Sequence, residues 1–147
     1  MLRPYRYAFV DTDHFRPAEH PAGSPVSPDD PALEELRSAC GEDDWAESGF
    51  ADASHAPLYG IKSDRQLVAA GNLGLYRSRR ADIGVLVHPA HRGQGLARRL
   101  VSHMAADVLA EVGVLRYSAA LTNPASLSVA DALGFVPRGE QIAVRLP

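Results

Sequence analysis

The sequence predicts an α/β (α+β) domain whose mixed, mostly antiparallel central sheet is flanked by helices. Two patterns carry that prediction. Between residues 58 and 87 short apolar runs alternate with polar turns, as an antiparallel meander does. From residue 96 onward the periodicity changes to a long amphipathic helix, a strand, a second helix and a last strand, and a meander continued in this way gives a sheet covered by helices. With 147 residues, 46% hydrophobic and 22% charged, the chain suits one domain, 1–147, around one sizeable core.

Taken in order, a first strand is expected over 5–10. Pro17, Pro21, Gly23, Pro25 and Pro28 make the next segment a loop that no helix could cross, mobile or wrapped over the surface. Asp29 or Asp30 then caps a helix opening at Pro31, with Leu33, Leu36 and Ala39 on its buried side and Gly41 at its end. A short second helix is expected over 44–50, anchored by Trp45 and Phe50. Residues 58–62 and 67–75 form two strands joined at Ser63-Asp64-Arg65, and the turn at 77–80 leads into a third. In the long helix, Leu96, Leu100, Met104, Val108 and Val112 recur every four residues, reinforced by Ala97, Val101 and Ala105; Arg98, Arg99, Ser102, His103 and Asp107 fall on the other faces. A strand over 115–119, a helix over 124–133 and a strand over 141–146 complete the chain.

The chemistry concentrates where Ile83-Gly84-Val85-Leu86-Val87 meets His88-Pro89 and then Arg92-Gly93-Gln94-Gly95-Leu96-Ala97. A strand, a glycine-bearing turn and a helix start make an anion site, because first-turn N–H groups lack intrahelical partners and sit at the positive end of the macrodipole. Gly93 and Gly95 let the backbone turn sharply toward phosphoryl oxygens, and Arg92 adds a permanent forked charge. An ordinary tight corner explains the glycines equally well. There is no Gly-x-x-x-x-Gly-Lys-Ser/Thr loop, and the third small residue of the dinucleotide fingerprint is missing.

Arg92-Gly93-Gln94-Gly95-Leu96-Ala97 resembles the Gln/Arg-x-x-Gly-x-Gly/Ala pyrophosphate loop of the GNAT superfamily of acyl-CoA-dependent N-acyltransferases, and Val87-His88-Pro89 stands at its Val-x-Pro lead-in. Asn123-Pro124-Ala125-Ser126 followed by Leu133-Gly134-Phe135 is similar to that family's Asn-x-x-Ser and Leu-Gly-Phe segment, with Tyr117-Ser118-Ala119-Ala120 as the strand between. The clear resemblance covers 58–146; residues 1–57 are divergent. It implies acetyl-CoA as cosubstrate, held by Arg92, Gly93, Gln94, Gly95, Leu96, Ala97 and Arg98 at its phosphates. It also implies that the strands on either side of the loop and helix splay apart, so that Val85, Leu86 and Val87 line the pantetheine arm and free amides there polarise the thioester carbonyl. A plain buried strand is the competing role for these three residues. Asn123 would bond the cofactor arm or acceptor, or cap the helix at Pro124. Ser126, one turn inside that helix, would reach the cofactor or face solvent.

The implied reaction is direct attack of a primary amine, from a small molecule or a peptide, on acetyl-CoA; it needs a neutral amine, a polarised carbonyl and a proton for the thiolate. Asp82 stands where related enzymes carry an acid and is the candidate base, or a solvated strand-end carboxylate. Glu42, Asp43 and Asp44 beside Trp45 would attract a cationic amine, or form a solvated face. The family's tyrosine acid corresponds to Ala130, so Tyr117 or Ser128 would substitute, or the thiolate would leave unaided. That missing phenol keeps open a non-catalytic acyl-CoA-binding or sensing module. A different phosphate-bearing ligand at the same loop is the third reading.

Other classes are disfavoured. Net charge −3 and pI near 6.0 give no attraction to nucleic acid or anionic membrane. No apolar run of about 18 residues is present and the N-terminal segment lacks a signal-peptide core, so a cytoplasmic location is expected. The single cysteine, Cys40, fits a reducing compartment and is expected buried at a helix end. The histidines at 14, 20, 55, 88, 91 and 103 lack metal-binding spacing, so no metal is expected; His91 would help shape the phosphate site and His103 would be exposed. Edge strands, with Ala143 and Val144 near one of them, suggest a homodimer.

Overall fold

The meander forms because its two-residue turns accept left-handed backbone. Strands β3 (Leu58–Ser63) and β4 (Gln66–Tyr76) join through Asp64 and Arg65, and β4 and β5 (Arg79–Val87) through Arg77 and Ser78; these four residues have φ between 50° and 70°. Such turns match the right-handed twist of the flanking strands. The computed structural model describes residues 2–52 and 56–144; His55 and residues 145–146 of the expected last strand lie outside them. Among the described residues the sheet has seven strands in the order β2-β3-β4-β5-β6-β1-β7, with β2 at Ser24–Pro25, β6 at Val114–Ala120 and β7 at Val136–Val144. Only the β5–β6 pair is parallel.

Strand β1 (Leu2–Asp11) lies between β6 and β7, antiparallel to both, so the first strand closes the far half of the sheet. β7 begins at Val136, five residues before the expected start at 141. Gly134 takes φ 90° and turns the chain directly into the strand.

Helices α3 (Leu96–Val112) and α4 (Pro124–Ala132) cover one face, over a core that includes Leu73, Ile83, Leu100, Met104, Leu115 and Leu133. Helices α1 (Pro31–Cys40) and α2 (Glu42–Glu47) cover β3, β4 and β5 on the other face, over Leu36, Trp45, Phe50, Leu67, Ala70 and Leu86. Asp30 caps α1 through its carboxylate to the Ala32 N–H, and Gly41 at φ 92° ends it. Ala39 is exposed, contrary to expectation: the buried stripe follows the i, i+4 row of Ala32, Leu36 and Cys40. The second helix is shorter and earlier than 44–50, because Gly49 at φ 82° breaks it and a separate 3-10 turn, Phe50–Asp52, carries Phe50 against Trp45 at 4.7 Å.

Two α3 side chains are more enclosed than the helical wheel predicts. Ser102 is 0% exposed and its hydroxyl accepts the Ala18 N–H at 2.9 Å, while His103 packs edge-on to Tyr59 at 6.0 Å. The proline-rich loop causes both, since it lies along this side of the helix, where Ala22 N–H reaches Arg99 O and Arg99 Nε reaches His20 O. Among the described residues, no helix is long and apolar enough to cross a membrane.

Candidate functional site

Strands β5 and β6 pair only at Asp82 with Arg116 and Ile83 with Tyr117. Past that point each strand stays with its outer neighbour, β5 with β4 as far as Val87 and Ala69, β6 with β1 as far as Ala120 and Tyr5. They therefore part, and a cleft of about 910 Å³ opens between them. Val85, Leu86 and Val87 line it. His88 N–H donates to Val68 O, so by strand alternation the N–H and C=O groups of Val85 and Val87 point away from β4 and toward the parting. Val87 O accepts from Arg92 Nε at 3.1 Å and from the Cys40 thiol at 3.5 Å, which confirms that direction. Cys40 is half-buried, and burial raises its thiol pKa against the opposing pull of Arg92.

At the mouth of the cleft, the 3-10 turn Pro89–His91 is capped by His88 Nδ1 accepting the Ala90 N–H. Gly93 and Gly95 then take φ 80° and 77°, and a Cβ at either would meet nothing within 4 Å, so the backbone angle, with free space in front, is what requires glycine. Gly95 begins α3 without a side-chain cap, and Leu96, Ala97 and Arg98 of the first turn line the cleft together with His91, Arg92 and Gly93. Gln94 stands outside its wall. The Arg92 guanidinium also reaches across to Asp44 of α2, Nη2 to Oδ2 at 2.9 Å. Of the acidic cluster, Glu42 is held by Arg37 and Asp44 by Arg92.

The β6 wall carries Tyr117, 2% exposed, whose hydroxyl makes no hydrogen bond among the described residues. Burial pushes its phenol up to about 12; Ser126 opposes this by a smaller amount without standing at hydrogen-bonding geometry. Phe135 supports the ring edge-on at 5.7 Å. Gly134 has no room for a Cβ, because the His14 carbonyl packs against it, so the Leu-Gly-Phe segment serves to seat this loop and to back Tyr117. Asn123 Oδ1 accepts the Ser126 N–H at 3.2 Å and caps α4, while both residues line the cleft, as does the exposed Ser128. Ala130 lies in the core at 1% exposure and off the cleft wall, so a phenol at 130 would not face the cleft.

At the inner end, both oxygens of Asp82 are taken by Arg116, Nε at 3.0 Å and Nη2 at 2.9 Å. This pairing raises the Arg116 pKa, and its guanidinium stacks over Tyr7 and Tyr76 at 5.0 and 4.6 Å. Asn72, Ser48, Arg80 and Arg116 were not identified from the sequence. The one visible signal was Asn72, a lone amide within the apolar run of β4. Among the described residues no group of three metal-ligating side chains comes together.

The acetyltransferase (GNAT) family model matches residues 25–135. The structure resembles a GNAT-family acetyltransferase from Novosphingobium aromaticivorans (TM-score 0.71, 22% identity), covering 97% of this chain and 63% of that one. A GNAT-family acetyltransferase from Colwellia psychrerythraea gives 0.73 at 17% identity, covering 97% and 55%. A tandem GNAT protein of the clavulanic acid biosynthesis pathway gives 0.66 at 19%, covering 96% and 52%. The chain thus spans about half to 63% of these solved structures, and at these identities the likeness is one of fold. No curated protein matches it. With the family model covering about three-quarters of the sequence over this cleft and loop, the chain belongs to the acetyltransferase (GNAT) family.

Proposed function

We propose that the protein is an acyl-CoA N-acyltransferase that moves an acetyl group from acetyl-CoA to a primary amine by direct attack, with both substrates bound together. The observation that carries this reading is the parting of β5 and β6 straight onto the uncapped, glycine-turned start of α3. The turn offers first-turn amides and the Arg92 and Arg98 guanidiniums to a pyrophosphate. The parted strands offer unpaired backbone groups to an amide-bearing arm, lined by Val85, Leu86 and Val87 with Asn123 and Ser126 opposite.

At the inner end of the parting, the Val85 N–H is aimed at the oxygen on which charge develops as the amine nitrogen bonds to the thioester carbon. Collapse breaks the carbon–sulfur bond and leaves a thiolate. The Tyr117 hydroxyl, protonated and unpartnered on the same wall, supplies it with a hydrogen bond that stabilises the charge, and the thiolate leaves to take its proton from solvent. Ser128 at the rim is the second donor. The proton lost by the amine passes through water to Asp82, whose two oxygens each keep a lone pair beyond the one given to Arg116.

The test is isothermal titration of acetyl-CoA and CoA into the wild type and into a double variant, Arg92→Ala with Gly95→Asp. The double variant removes the forked charge and places a carboxylate in the cradle. Loss of affinity by about 100-fold or more supports the reading, and a folded wild type that binds neither compound overturns it. One observation favours the alternative of a non-catalytic acyl-CoA-binding module: both oxygens of Asp82, the candidate base, are held by Arg116. That reading expects binding with no CoA released in the presence of any amine.

A further inference from the structure

Among the described residues, one cation that lines the cleft takes no part in its ion pairs. Of the cleft-lining arginines, Arg92 is paired with Asp44, and Arg98 stands at the turn of α3. Arg116, behind the wall, is paired with Asp82. Arg80 also lines the cleft and is half-buried, and among the described residues no carboxylate lies within salt-bridge distance of it. Its one hydrogen bond is long, Nη1 to Leu73 O at 3.4 Å. That bond leaves most of its five donors unspent.

Asn72 supplies the complementary group. It is 2% exposed, and its Nδ2 donates to Ser48 O at 3.1 Å, which fixes the orientation of the amide. Its Oδ1 therefore accepts, and no group among the described residues donates to it. A Cβ at Gly84 would stand 2.0 Å from Ser48 O and 2.7 Å from Asn72 Nδ2, so the bare glycine is what lets Ser48 dock on this amide. An amide oxygen without a donor and a guanidinium outside the ion pairs, among the described residues, thus line the same cleft from its β4–β5 wall.

We propose, on the acyltransferase reading above, that the acceptor is an amine bearing a carboxylate a few bonds away, an amino acid rather than a polycationic amine. Asn72 Oδ1 receives an amine N–H, and the Arg80 fork receives the carboxylate in the two-pronged geometry that guanidinium and carboxylate share. A polyamine would bring a second cation against Arg80.

The experiment measures CoA release from acetyl-CoA with amino acids, with the matching carboxamides, and with spermidine, in the wild type, Arg80→Gln and Arg80→Lys. Acetyl-CoA titration of each variant serves as the check on folding. We expect at least one amino acid to exceed its carboxamide in kcat/KM by about 10- to 100-fold. In Arg80→Gln that ratio falls toward one, through KM, and Arg80→Lys recovers part of it. Carboxamides or spermidine used as well as the acids, or a ratio untouched by Arg80→Gln, overturns the proposal while leaving the acyltransferase reading intact. A wild type that binds acetyl-CoA but releases CoA with none of these amines overturns the amino-acid proposal alone, and one that binds no acetyl-CoA overturns both.

Discussion

Tyr117 shows how one atom can be placed at a stability disadvantage for chemistry. A buried hydroxyl without a partner loses its water and gains nothing within the fold. Replacing it by phenylalanine should leave neutral-pH stability unchanged or raised, yet slow CoA release by roughly 100-fold if the hydroxyl serves the thiolate. The same residue gives a pH signature. Its pKa is raised to about 12 from an ordinary value near 10, so the neutral form is favoured by folding. The stabilisation is full below pH 10 and is lost as the pH climbs through 12, up to about 2–3 kcal/mol. Urea midpoints taken from pH 9 to 12 should fall less steeply in Tyr117→Phe; identical slopes would count against a buried phenol. At this scale Gly93, Gly95 and Arg92 were readable because a turn and a charge are local properties. Asn72 and Arg80 were not, because what they face depends on the β4–β5 register and on where α2 crosses the sheet.

Among elements, the approach of α2 to the sheet rests on an absent side chain. A Cβ at Gly84 would stand 2.0 Å from Ser48 O and 2.7 Å from Asn72 Nδ2. Gly84→Ala should therefore push the turn after α2 off β5 and destabilise by about 1–3 kcal/mol. Gly95→Ala, which meets no atom, should cost only the left-handed backbone penalty of about 1 kcal/mol. Chemical denaturation of the pair separates crowding from conformation: equal losses would mean that α2 yields freely. Helices α1 and α3 were legible from caps and periodicity, because each helix declares its own ends. Ser102 and His103 were misplaced since a helical wheel registers only its own sequence, and here the proline-rich loop buries a second side. The end of α2 was missed because a positive φ at Gly49 is set by tertiary packing as much as by glycine.

For the molecule as a whole, the cleft is a sheet held together at its two flanks and parted in the middle, with one ion pair crossing its mouth. Arg92 to Asp44 joins the phosphate turn to α2, with both side chains about half exposed. Asp44→Asn should release the guanidinium and tighten acetyl-CoA binding a few-fold at low salt, with the gain fading as salt rises. Unchanged or weaker binding in titrations across that range would mean that Asp44 organises the loop instead. The meander and the parted β5–β6 pair were foreseen from the sequence and its family resemblance, whereas the seat of β1 was not, since strand order is carried by pairings more than a hundred residues apart.

That seat also sets a timetable. On the ribosome β1 is made before either of its partners, and both of its edges, carrying Tyr5, Tyr7 and Phe9, must wait unpaired until β6 and β7 have been synthesised. The cleft wall that bears Tyr117 can acquire its outer neighbour only then, so the nascent chain completes its phosphate turn before β1 is paired.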